Sequence, residues 1–173
     1  RREGFADGFN SRMGVGPIET LRAHGYDKGL QEMMHSTAIH FDDGFKRNGF
    51  AWVTNCWELS LDIDTKGLTK WLQEIRNRWP EVKFITQGEF GLLWRSEYKE
   101  NNFDYRFYEK GSGIGGSDAD KEIYWYMNKS FRLAILKDLN TQKEQIIDFT
   151  RYDVKAQEPK SGSTRNWTLF GDI

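Results

Sequence analysis

Two glutamates stand in this sequence at positions suited to carboxylate chemistry. Asn55 and Glu58 come at or just after an apolar run at residues 50–55, while Thr86, Gln87 and Glu89 come at or just after a second run at residues 82–87. As neighbouring parallel strands, the two runs bring these side chains together at strand carboxyl ends, the edge where α/β folds place their chemistry. Paired carboxylates at that edge suit glycoside hydrolysis. One protonates the leaving oxygen and the other acts as nucleophile or activates water, a separation of roughly 5 Å or roughly 6.5–9.5 Å setting the stereochemical outcome. Glu58 and Glu89 are therefore the candidate catalytic pair. Asn55 and Gln87 are candidate hydrogen-bonding groups for substrate, and Trp57 and Trp94 offer apolar faces to sugar rings. The competing role for the same glutamates is structural, because helices favour acids in their first turn.

A second group, His35, His40, Asp42 and Asp43, carries the residue types of a divalent metal site. Its spacing argues against one. His35 and His40 are separated by about 500° around a helix, so they diverge where ligands at i and i+4 share a face. The Asp42-Asp43-Gly44 run reads instead as a helix end with Gly44 as its stop. The loop from Gly111 to Gly116 has the glycine spacing of a dinucleotide fingerprint, but Ile123, Trp125 and Met127 alternate after it as in a strand, with no helix to receive a pyrophosphate. Asp118, Asp120 and Glu122 lack a complete calcium loop and read as a solvated acidic turn. The expectation is a site with no metal and no bound cofactor.

The elements that position these residues follow from periodicity. Leu30, Met33, Met34, Thr37 and Phe41 repeat at helical spacing, as do Leu68, Trp71, Leu72, Ile75 and Trp79, the latter set capped by Asp64 or Thr65 and ended by Pro80. A third helix carries Phe90, Leu93, Trp94 and Tyr98 on one face. Alternation of these helices with the runs at 50–55 and 82–87 is the grammar of parallel βα units, yet two strands leave open edges. From about Phe103 the period becomes two. Strands are expected near 103–107, 122–127, 131–136 and 145–152, with a turn at 140–143, and Trp167, Leu169 and Phe170 offer a last docking strand. The first 29 residues, rich in glycine, read mostly as loop.

Composition narrows the function classes. The 173 residues hold 25 Lys+Arg against 26 Asp+Glu, a net charge of −1 without the basic excess of a nucleic-acid binder. No apolar run approaches the roughly 18 residues of a membrane span, so neither nucleic acid nor membrane is an expected partner. Aromatic residues make up 15%, which predicts an aromatic core with rings to spare for a ligand. The lone Cys56 excludes an internal disulfide framework. The chain starts at Arg1 without Met and shows no secretory signal, which points to further chain upstream.

These residues also carry a resemblance. His40-Phe41-Asp42-Asp43-Gly44-Phe45, Ala51-Trp52-Val53-Thr54-Asn55 and Phe84-Ile85-Thr86-Gln87-Gly88-Glu89-Phe90 resemble the later part of a gut-bacterial, Bacteroidales-type family of unassigned activity. In that family a barrel-like domain similar to polysaccharide deacetylases and glycoside hydrolases precedes a β-rich domain, and residues 122–128 and 147–152 look like the β-rich part. The Asp-Asp-Gly motif of the deacetylases follows their first strand, whereas here it ends a helix, so its metal role is not carried to Asp42 and Asp43. The resemblance implies a mixed α+β chain. Residues 1–100 would be the C-terminal βα units of a barrel-like α/β domain, and residues 101–173 a small antiparallel β subdomain. It further implies a carbohydrate ligand, carbohydrate processing or else a non-catalytic glycan-binding or structural accessory role, the upstream part of the same protein as partner, and a secreted or periplasmic location.

Overall fold

The computed structural model describes residues 25–54, 65–100, 102–114 and 119–154. Asn55, Trp57, Glu58, Asp64, Asp118 and the strand expected near Trp167 lie outside the described residues, as does most of the glycine-rich loop expected at the start. Helix α1 (Tyr26–Ala38) runs into a π-helical segment (Ile39–Gly44) and a final turn, α2 (Phe45–Asn48). Helices α3 (Thr65–Arg78) and α4 (Gln87–Glu97) follow, then strands β1 (Tyr105–Lys110), β2 (Lys121–Met127), β3 (Phe131–Asp138) and β4 (Glu144–Arg151). The strands form one antiparallel meander in the order β1-β2-β3-β4. The fold is mixed α+β, with the change of element type where the hydrophobic period changes from helical to two.

The helical core is built by the faces that periodicity predicts. Met33 of α1 meets Trp71 and Ile75 of α3, with Trp79 beyond its end, and Leu30, Met34, Phe41, Leu68 and Leu72 pack around them. Burying each of the large side chains contributes about 1.5–3 kcal/mol. Thr37 is polar but satisfied there: its Oγ1 donates to the Met33 carbonyl (2.8 Å) and accepts from Trp71 Nε1 (3.1 Å). Pro80 sits just past α3, where its missing N–H costs the helix nothing.

Gly44 does not stop the first helix. Its backbone is right-handed helical (φ −60°, ψ −48°), and the chain continues to Asn48 before Gly49 ends it in the left-handed region (φ 75°). The reason for a glycine at 44 is proximity. A Cβ there would stand 3.1 Å from the Ile39 carbonyl oxygen and 3.2 Å from Tyr105 Oη.

The parallel strands expected at 50–55 and 82–87 are likewise absent among the described residues. Residues 50–54 and 82–86 have no regular secondary structure and lie in no ladder, because among the described residues no strand pairs with them. Phe50 and Trp52 turn their rings into an aromatic cluster, whereas Phe84 and Ile85 are each 45% exposed. The run at 82–87 also ends earlier than expected, with Gln87 already in α4.

The sheet buries one face. Ile123, Trp125 and Ala134 form its core, with Phe107, Leu136 and Ile147 packed against them. Trp125 Nε1 donates to Glu109 (2.9 Å), and Arg132 grips the buried Asp148 through Nε (2.8 Å) and a second guanidinium nitrogen (2.6 Å), so the buried acids are hydrogen-bonded. Helices and sheet meet along β1. Tyr105 is buried beneath Gly44, the His40 ring lies 4.8 Å from Phe107, His35 Nε2 donates to the Lys110 carbonyl (2.9 Å), and Ser112 donates to Glu32. Desolvation lowers the His40 pKa to about 4.

Two outcomes follow from this seam. Gly44→Ala should cost about 1–3 kcal/mol in urea unfolding, since neither the Ile39 carbonyl nor the Tyr105 ring is free to retreat. For His40 the unfolded chain binds the proton near pH 6.5 and the folded chain only near pH 4. Its contribution to stability is therefore full above pH 6.5 and lost as pH falls to 4, by up to about 3 kcal/mol. Thermal melts across that window should show a steeper fall for the wild type than for His40→Phe.

Candidate functional site

An apolar groove of about 770 Å³ lies among the described residues. Helix α3 supplies one wall through Leu68, Trp71 and Leu72, and the segments at 50–54 and 82–86 bring Trp52 and Phe84. Thr54, Thr86 and Gln87 set hydroxyl and amide groups among these rings, Glu81 and Lys83 add charged groups, and Phe90 and Leu93 of α4 also line it. The exposed Leu93 thus belongs to the groove and not to the packed face expected for it.

Thr86 is the hinge between the second of these segments and α4. Its backbone is extended (φ −74°, ψ 160°), and its side chain caps the helix by accepting from the Glu89 N–H (3.2 Å). Glu89 answers in kind. Its Oε2 accepts from the Thr86 N–H (2.7 Å) and from Thr86 Oγ1 (2.8 Å), closing a reciprocal capping box. These bonds, the backbone one first, hold the Glu89 carboxyl below its ordinary pKa. At neutral pH the group is an anion, fit to accept a proton or attack an electrophile and unfit to donate a proton.

Of the residues singled out from sequence, the structure brings Gln87 to the groove and leaves Glu89 two residues along, facing back to its cap. Trp94 is elsewhere. Its ring makes tilted and edge-on contacts with Tyr98 (4.4 Å), Phe103 (4.9 Å) and Trp52 (5.2 Å) in the aromatic cluster that joins α4 to β1. Asn55, Trp57 and Glu58 fall outside the described residues, one position beyond the groove-lining Thr54 in the case of Asn55.

The second group of residues is absorbed by packing. Asp42 accepts from Arg78 (2.6 Å) and Trp79 Nε1 (2.6 Å), locking the π-helical segment to the end of α3, and Asp43 pairs with Arg47 (2.6 Å). Among the described residues, no three His, Cys, Asp or Glu side chains converge on a metal-sized site. Asp120 and Asp138 share Lys121 (2.6 Å each), which holds the Asp138 carboxyl down at about 2. The set that sequence reading passed over is on the outer face of the sheet. Glu122 accepts from Tyr108 (2.7 Å) and Tyr124 (3.2 Å), a cluster signalled by the two-residue alternation of Glu122, Tyr124 and Tyr126.

Residues 1–127 match the family model described as a domain of unknown function with a solved structure, DUF3863, and residues 132–173 match the similarly described DUF3864. No curated protein matches the chain. Among solved structures, a crystal structure from Parabacteroides distasonis with the provisional name glycoside hydrolase/deacetylase is 50% identical, with a TM-score of 0.75. The alignment covers 87% of this chain and 37% of that one, so the chain spans little more than a third of its relative's length.

The capping box makes its own test. Thr86→Ala should raise the Glu89 pKa toward the ordinary carboxylate value, read by NMR titration, and lower the denaturant midpoint. Thr86→Ser should change both much less.

Proposed function

Because the chain belongs to the DUF3863 family, we propose that it is a carbohydrate-directed portion of a longer hydrolase. The observation that carries the proposal is the aromatic-walled groove with Thr86 and Gln87 among its rings, at the point where the segment at 82–86 enters a helix. Sugars present apolar C–H faces and hydroxyl edges, and this lining offers rings for the former and hydroxyl and amide groups for the latter. The name and 50% identity of the Parabacteroides distasonis relative support the same reading.

In this reading residues 1–100 carry the site and residues 101–173 the β-rich subdomain. Glu89, an anion at neutral pH, serves as nucleophile or base, and Glu58 donates the proton that the leaving oxygen takes when its C–O bond breaks. Gln87 and Asn55 orient the substrate, and Trp57 contributes an apolar face. The remainder of the longer polypeptide supplies the strands that the segments at 50–54 and 82–86 lack here. A secreted or periplasmic location accompanies the reading, because polymeric glycans are met outside the cytoplasm.

The test is turnover of acetylated and plain oligosaccharides by the purified protein, following acetate and reducing ends. Glu89→Gln keeps the capping geometry, since glutamine serves at the same helix position, but removes the anion. It should lower kcat by roughly 10²-fold or more. Gln87→Ala should act mainly on KM. Absence of both products from the wild type, or wild-type turnover by Glu89→Gln, would count against the assignment.

A further inference from the structure

The outer face of the sheet has an organisation that the groove does not use. Register places Tyr108 opposite Tyr124 and Arg106 opposite Tyr126, so three tyrosines and an arginine share one patch across β1 and β2. The rings of Tyr108 and Tyr124 are 5.1 Å apart, and the Arg106 guanidinium lies 5.8 Å from the centre of the Tyr126 ring. All three tyrosines keep part of their surface in solvent. The patch continues across β3 and β4 to Ile146, 63% exposed, and Phe149, 38% exposed.

Charge selects the kind of occupant. The next row of the same face reads Lys110, Glu122, Lys137, Glu144 across the four strands, alternating in sign and summing to zero. A surface for nucleic acid or an anionic membrane carries a basic excess, whereas the further cations of this face, Arg106 and Arg151, are paired with Asp104 (3.9 Å) and Asp153 (2.6 Å). A protein interface of ordinary type keeps charge away from its centre. Here the Glu122 carboxylate bridges the hydroxyl ends of Tyr108 and Tyr124 (2.7 and 3.2 Å), which fixes it as an acceptor beside the ring pair. Rings with fixed polar groups beside them match a neutral polyol whose apolar faces stack and whose hydroxyls reach sideways. The Asp43–Arg47 ion pair stands within electrostatic reach of Tyr108 and Tyr124 and gives the patch a polar border on the helical side.

We infer that this face is a second, non-catalytic glycan-binding surface. Tyr108, Tyr124 and Tyr126 stack on the rings of a neutral oligosaccharide, while Glu122 and Arg106 hydrogen-bond its hydroxyls. The inference rests on the carbohydrate reading of the chain and adds to it a place that holds substrate away from the groove.

Amide chemical shifts of the whole protein, titrated with cellohexaose, xylohexaose and mannohexaose, locate the contact. The expected result is perturbation centred on residues 105–110 and 121–127 by at least one of the three. Tyr124→Ala and Tyr126→Ala should each weaken that binding roughly tenfold, equivalent to about 1.4 kcal/mol. Tyr124→Phe keeps the ring and should bind nearly as the wild type, which separates loss of stacking from loss of fold. Shifts confined to residues 82–94, or unchanged affinity in both alanine variants, would overturn the sheet surface while leaving the carbohydrate reading intact. No shifts with any of the three sugars would overturn both.

Discussion

The seam between β1 and the π-helical segment is the constraint on which the described structure depends. The π-helical segment carries Gly44 against the Tyr105 hydroxyl, and the missing Cβ leaves room for Tyr105 to be buried there. From that contact the aromatic cluster spreads outward, because Tyr105 also lies within ring contact of Phe50 (5.4 Å) and Trp52 (5.1 Å). Trp52 in turn reaches Phe90 and Trp94 of α4. The helical half and the sheet are thus joined through ring edges and faces, an arrangement whose geometry is more specific than that of aliphatic packing.

The parts of the fold legible in the sequence are those set by short-range periodicity. The α1 and α3 faces, the end of α3 before Pro80, the capping acid at Glu89 and the meander with its turn at 140–143 all follow from spacing and turn chemistry. What could not be read is what depends on distant partners. Residues 50–54 and 82–86 have the composition of buried strands, but a strand needs a neighbour, and composition does not say whether one is present. Gly44 illustrates the same limit. Its local context is that of a helix stop, and only Tyr105, sixty-one positions later, explains why it stays helical.

The candidate site was legible to a similar degree. Gln87 lines the groove because the segment at 82–86 does enter a helix at Thr86, as strand-end reasoning requires even without the strand. Trp94 lies one turn past Phe90 on the same face of α4, where its ring packs on Tyr98 and Phe103 instead of lining the groove. The tyrosines of the outer sheet face were visible as an alternation, yet their meeting with Glu122 needed the register of β1 against β2, which a single strand's sequence does not contain.

The first strand of the sheet is closed on its outer side. In a strand, alternate residues turn their peptide groups to the same edge, so 106, 108 and 110 face away from β2. Asn48 treats Arg106 as a neighbouring strand would: its amide nitrogen donates to the Arg106 carbonyl (2.7 Å) and its amide oxygen accepts the Arg106 N–H (2.9 Å). His35 occupies the Lys110 carbonyl at the other end. A side chain thus mimics one peptide unit of a strand. Among the described residues, the side chains that close an edge of the meander stand along β1 and none stands along β4.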